Sequence, residues 1–130
     1  MHTYKAKKER ETSSSEEKYS MFIGRWQPWH KGHRWLIDQR LKKGKRVLVC
    51  IREVSVDEQN PFTTSQIFET LHKKLGSLIK KGLVKILIIP DIESVNFGRG
   101  VGYDVIEHMP PKDIAKISGT RIRAKLGGKK

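Results

Sequence analysis

Residues 21 to 33 read Met21-Phe22-Ile23-Gly24-Arg25-Trp26-Gln27-Pro28-Trp29-His30-Lys31-Gly32-His33. A short apolar run ends on a glycine. A turn then carries an arginine and two histidines three apart, just before a helical period begins. The order is that of a strand handing over to a helix, where α/β folds bind phosphates: helix N-terminal amides favour an anion, and glycine permits close backbone approach. A second phosphate-suited segment, Ile117-Ser118-Gly119-Thr120-Arg121-Ile122-Arg123, lies near the C-terminus.

Outward from the first segment, strand and helix alternate. Met21 to Gly24 is expected as a short strand. Residues 33 to 43 follow a helical period, with Ile37 and Leu41 on one face and Gly44 closing the helix. Arg46 to Ile51 is a continuous β-rich run, the mark of a strand covered on both faces. After a polar loop, Thr63 and Gln66 form a capping box. The helix they open carries Ile67, Leu71, Leu75 and Leu78 as one stripe, with Gly76 expected to bend or split it and Gly82 to end it. Val84 to Ile89 is the next buried strand, stopped by Pro90. Further on, Tyr103 to Ile106 is read as a short strand and Pro110-Pro111 as a rigid turn. Ile114 to Ile117 is read as the last strand, and Thr120 to Leu126 as the start of a C-terminal helix. The fold class is therefore α/β: a Rossmann-like parallel sheet flanked by helices, one small domain.

The 130 residues have room for one domain. Residues 1–19 are expected as a disordered polar tail, too poor in apolar side chains to offset the entropy of ordering, and residues 20–130 as the folded unit. No apolar run suits a secretory signal or a membrane helix, so a cytoplasmic location is expected. Cys50, the single cysteine, excludes an internal disulfide and four-thiolate zinc, and reads as a buried strand residue. The net charge of +13 falls almost entirely outside the first twenty residues, where five basic side chains face four acidic ones. A field that positive attracts phosphate-rich ligands and can hold nucleic acid nonspecifically.

Two histidines three apart share one side of a first helical turn. Beside a bound phosphate they can donate charge-assisted hydrogen bonds to a phosphoryl group in transfer, and Arg25 can add a bidentate clamp. Ser118, Gly119 and Thr120 with Arg121 and Arg123 again suit a phosphate chain. Phosphoryl and nucleotidyl transfers need mainly positioning and charge stabilisation. Trp26 and Trp29 are better suited to a core or pocket wall than to base stacking. A zinc site on His30 and His33 lacks a third ligand nearby in the sequence.

Gly-Arg-Trp-Gln-Pro-Trp-His-Lys-Gly-His resembles the His-x-Gly-His signature of the nucleotidyltransferase superfamily, and Ile-Ser-Gly-Thr-Arg-Ile-Arg resembles its Ile-Ser-x-Thr-x-x-Arg signature. The Arg-aromatic-Gln-Pro lead-in and Asn60-Pro61-Phe62-Thr63 look most like nicotinamide mononucleotide adenylyltransferases of archaeal type. The resemblance implies a Rossmann-like fold and transfer of a nucleoside monophosphate, AMP from ATP before a cytidylyl group, to a phosphorylated small molecule. Pyrophosphate leaves, and magnesium arrives with the triphosphate. Carried over by position, His30, His33 and Arg123 are the catalytic residues. Gly24, Arg25, Gln27, Ser118, Gly119, Thr120 and Arg123 bind the nucleotide, with no protein ligand to the metal.

The 26 residues from Asp91 to Lys116 are fewer than the resemblance leads one to expect between third strand and second signature. In their place stands a glycine-rich loop, for which Arg52, Asn96, Arg99 and Tyr103 are the candidate acceptor-binding residues. A surface turn shaped by its glycines is the competing reading. Competing functions are a nucleic-acid-binding module, a nucleotide sensor without turnover, and a cytidylyltransferase. A homo-oligomer, or another protein completing an open pocket, also fits.

Overall fold

The computed structural model describes residues 17–117 and 122–124. Its elements are β1 (Tyr19–Gly24), α1 (Lys31–Leu41), β2 (Arg46–Glu53), α2 (Thr64–Lys74), α3 (Gly76–Lys80), β3 (Val84–Pro90) and α4 (Lys112–Ala115). The three strands form one sheet in the order β1-β2-β3, both pairings parallel. This is the small α/β architecture expected of a Rossmann-like chain.

The centre of the sheet follows from the sequence of β2. Val47, Val49 and Ile51 alternate onto one face and are fully or almost fully buried. They pack with Ile37 of α1, Ile67 and Leu71 of α2, Leu75 and Val84 in one apolar cluster. Each such side chain contributes about 1.5–3 kcal/mol by leaving water, so the cluster fixes how both helices lie on the sheet.

The helix boundaries follow local chemistry. Thr63 Oγ1 accepts from the Gln66 amide at 3.0 Å, and Gln66 Oε1 accepts from the Thr63 amide at 2.8 Å, closing the expected capping box. The stripe splits into α2 and α3 between Lys74 and Gly76, leaving Leu75 in the core. Gly44 and Gly82 end their helices with φ of +77° and +76°, a conformation that disfavours side chains with a Cβ.

Three expectations are corrected. β3 is a strand but is not buried on both faces: Val84 is enclosed, whereas Leu87 and Ile88 are 48% and 40% exposed. Among the described residues it stands at the edge of the sheet, paired with β2 alone. Tyr103 to Ile106 forms no strand and is largely exposed. Residues 114–117 form no strand either: Lys112 to Ala115 is one short helix, opened by Pro111 with Asp113 in its first turn. Proline suits the start of a helix, since the amide it lacks would be unpaired there. Of the expected C-terminal helix, residues 122–124 are helical.

Within the described residues, Glu17 pairs with Arg46 at 2.7 Å, and Tyr19 opens β1. Among the described residues, no helix is long and apolar enough to cross a membrane.

Candidate active site

Gly24 ends β1 opposite Ile51 of β2, so the turn that follows lies at the carboxyl end of the sheet. Trp26 fixes that turn. Its Nε1 donates to the carbonyl of Cys50 at 3.0 Å in the interior, and the residue is 5% exposed. The indole lies against Gly24: a Cβ there would stand 3.0 Å from two of its ring carbons. Trp26 itself holds φ at +55°, a left-handed conformation costing on the order of 1–3 kcal/mol outside glycine. The buried ring and its hydrogen bond offset that cost.

Gln27 is buried as well, and its amide is engaged by a neighbouring loop. Nε2 donates to the Phe62 carbonyl at 2.9 Å, and Oε1 accepts from the Phe62 amide at 3.0 Å. The Gln-Pro and Asn-Pro-Phe segments are thus two halves of one joint. Gln27 supports the turn through this bracket, which takes up one N–H and one acceptor position of its amide.

His30 is the N-cap of α1, and His33 is its third residue. His30 Nδ1 accepts from the Gly32 amide at 3.1 Å; His33 Nδ1 accepts from the His30 amide at 3.2 Å. This is a capping box built of imidazoles in place of the usual hydroxyl and carboxamide. The rings stack with centroids 3.7 Å apart and planes 20° apart. Gly32 makes room for them, because a Cβ there would come within 2.9 Å of His30 Cε1. Trp26 meets His33 edge-on at 4.8 Å, and Trp29 lies tilted against it at 5.3 Å.

Burial lowers the pKa of His33 to about 3, with the neighbouring His30 as the smaller cause. Burial also lowers His30. Both rings are therefore neutral near pH 7 in the free protein. Among the described residues, the hydrogen bonds of the two rings are the ones they accept from main-chain amides.

The structure brings Arg123 to this turn: its Nη1 donates to the Gln27 carbonyl, 96 residues away in sequence. Arg25 follows Gly24 directly and makes no hydrogen bond among the described residues. Asp57 faces it across the loop after β2. The Asp57 carboxyl is held below its usual range by the Asn60 amide first, and by Arg25 among the smaller causes. Ser118, Gly119 and Thr120 lie outside the described residues. Cys50 is enclosed, its thiol pushed up by burial, as a structural strand cysteine should be.

The candidate acceptor residues are not gathered in the same way. Arg52 is bound to Asp91 at 2.7 Å and to the Ile92 carbonyl at 3.2 Å, joining the ends of β2 and β3. Asn96 donates to Ser94 Oγ at 2.9 Å. Arg99 and Tyr103 lie on the exposed loop, with Gly100 and Gly102 at positive φ. A shallow groove of about 490 Å³ is lined by Glu53 to Val56 and Thr63 to Ser65, and Arg52 is not among its lining residues. The histidines do not line it.

Sequence reasoning missed the Trp26 tether and the Phe62 bracket. Both halves of the bracket, Gln27-Pro28 and Asn60-Pro61-Phe62, stand out in the sequence, but nothing there shows that they meet. Nothing in the sequence signals that Trp26 reaches Cys50. Among the described residues, no group of three His, Cys, Asp or Glu side chains is placed to hold a metal ion.

No family profile matches the chain. It is 31% identical over 113 residues to a nicotinamide-nucleotide adenylyltransferase of Pyrococcus furiosus, covering 84% of this chain and 58% of that protein. To the protein of the same name from Thermococcus sibiricus it is 30% identical over 109 residues, 82% of this chain and 56% of the relative. The Thermoplasma acidophilum protein of that name is 26% identical over 113 residues. The chain spans a little over half the length of these curated relatives. Its motifs, parallel sheet and these likenesses agree: over the part they share, the chain is similar to the archaeal nicotinamide-nucleotide adenylyltransferases.

Proposed function

We propose that the chain transfers AMP from ATP to a phosphorylated small molecule and releases pyrophosphate. The observation that carries this reading is the stacked His30–His33 pair capping α1 at the carboxyl end of the sheet. In the proposed step an oxygen of the acceptor phosphate attacks the α phosphorus. The bond from that phosphorus to the bridging β oxygen breaks, and its electrons leave with pyrophosphate. The two imidazoles hold the triphosphate oxygens and stabilise charge as it shifts toward the leaving group. Arg25 adds positive charge on one side of the turn and Arg123 on another; Ser118, Gly119 and Thr120 complete the nucleotide site in this reading. The donors are cationic or neutral N–H groups, which suit phosphate oxygens and not a metal. Magnesium enters as the counter-ion of the triphosphate.

The acceptor is placed by this reading at that groove, at Arg52 and at the loop that bears Asn96, Arg99 and Tyr103. That loop is where the chain offers side chains to solvent instead of to its own core. The name of the relatives points to nicotinamide mononucleotide as the first acceptor to try.

The test is pyrophosphate release from ATP or CTP with magnesium, against nicotinamide mononucleotide, phosphopantetheine, glycerol 3-phosphate and sugar phosphates. Release that needs one acceptor and disappears in His33→Ala supports the proposal. Saturable ATP binding with no release against any acceptor refutes it in favour of a sensor. The +13 charge favours one further reading, a nucleic-acid-binding module. RNA affinity that falls steeply with salt and ignores ATP would support that instead.

A further inference from the structure

A neutral imidazole carries one N–H and one bare nitrogen, and what the bare nitrogen accepts decides which face of the ring can donate. In both histidines of this turn the accepting nitrogen is Nδ1, occupied by a main-chain amide: Gly32 for His30, and His30 for His33. The proton of each ring therefore sits on Nε2, and neither Nε2 meets a partner among the described residues. Two donors are left on stacked rings, unspent among the described residues.

This arrangement must be kept from turning over. A flip of the His33 ring would put Cδ2 in the place of Nδ1 and lose the His30 amide. Trp29 stands against that ring at 5.3 Å and against Trp26 at 5.5 Å, while Trp26 is anchored at Cys50 and seated on Gly24. His33 is thus enclosed by His30, Trp26 and Trp29. Trp29 is the member of this set with no hydrogen bond and no place in the buried core; it packs against that core from the rim. Its ring contact with His33 is its direct link to the site.

We propose that Trp29 is a positioning residue that, with the amides of His30 and Gly32, holds His30 and His33 as a pair of Nε2–H donors before any phosphate binds. The ligand class is an anionic oxygen pair, such as two oxygens of one polyphosphate, since two fixed donors on stacked rings match two acceptors. Preorganisation removes the cost of turning the rings when the ligand arrives. The inference rests on the functional reading only for its use in transfer; the arrangement itself can be measured in the free protein.

The experiment is ¹⁵N NMR of the histidine rings in the ligand-free full chain at neutral pH, followed by titration with inorganic pyrophosphate. In the wild type, both rings should show protonated Nε2 and bare Nδ1. Trp29→Leu should give His33 a mixed nitrogen pattern and weaken pyrophosphate binding about fivefold to tenfold, the order expected for losing one aromatic contact. Trp29→Phe should restore both. A wild-type His33 protonated on Nδ1 overturns the inference, and needs no variant to fold. So does a Trp29→Leu protein with the wild-type nitrogen pattern and the wild-type affinity. If Trp29→Leu fails to fold, the wild-type spectrum and Trp29→Phe decide. Paired Nε2 donors in a protein that transfers nothing would uphold the inference and sink the functional reading instead.

Discussion

The histidine turn and the loop after β3 are two regions at the same end of one sheet, built in opposite ways. From Gly24 to His33, four side chains are hydrogen-bonded within the protein: Trp26 at Cys50, Gln27 at Phe62, His30 and His33 at main-chain amides. From Asp91 to Pro111, Val95, Phe97, Tyr103, Val105 and Met109 are each more than half exposed. The first region is over-determined and the second is hardly determined by its own contacts. A proposed chemistry common to many acceptors requires fixed geometry, whereas discrimination among acceptors can be left to side chains that a ligand orders on binding.

The comparison breaks most easily at Trp26. Trp26→Ala removes a buried ring and its hydrogen bond, and a loss of about 3–5 kcal/mol is expected from a change of this kind. Urea unfolding that shifts by less than a third of this would mean the turn does not depend on its anchor. His33→Ala should leave the fold largely intact but reduce turnover about 10²–10³-fold, the usual cost of one transition-state donor. Steady-state pyrophosphate release checks it, with circular dichroism as the control for folding.

Gln27→Ala leaves the Phe62 amide and carbonyl without partners in a half-buried joint. A destabilisation of about 1–3 kcal/mol is expected, with a lower kcat as the turn loosens. Thermal melts with and without ATP separate the two effects.

Acid should act on the turn specifically. His33 has a folded pKa of about 3 against an ordinary 6.5, so below pH 6.5 the unfolded chain binds a proton that the folded protein excludes. Stability from this group is complete above pH 6.5, falls as pH drops, and stops falling near pH 3. By pH 5 the loss is on the order of 2 kcal/mol, and His33→Phe should flatten that part of the curve.

The smallest structural effect is expected at Arg99, exposed on the glycine loop. Arg99→Ala should change stability by less than about 0.5 kcal/mol. It should raise the acceptor KM while leaving the ATP KM unchanged. Equal acceptor KM values in wild type and variant would show that the loop is a surface turn, and the contrast drawn above would lose its functional half.

Sequence legibility divides along the same line. The alternation of apolar residues in β2, the capping box at Thr63 and the glycine stops at Gly44 and Gly82 were readable because each is decided within a few residues. The histidine pair was readable because its spacing places both rings on one helical turn. The strands expected at Tyr103 and Ile114 failed because short apolar runs without a sheet neighbour have nothing to pair with; near Pro111 the local preference for a helix start prevailed. The exposure of β3 was likewise invisible, since an isoleucine run looks the same at a sheet edge as in its centre.

By itself the sequence determined the α/β order, the helix ends and the residues of the candidate phosphate site, because propensity, capping and periodicity are local. The tertiary structure alone decided what those residues face. Trp26 finds a carbonyl 24 residues away, Gln27 a main-chain bracket 35 residues away, and Arg123 a carbonyl 96 residues back. Those pairings follow from the parallel register of β1 on β2 and from helix packing on the sheet, long-range contacts that no stretch of sequence contains. The neutrality of the histidines belongs with them, for burial is a property of the fold and not of the side chain.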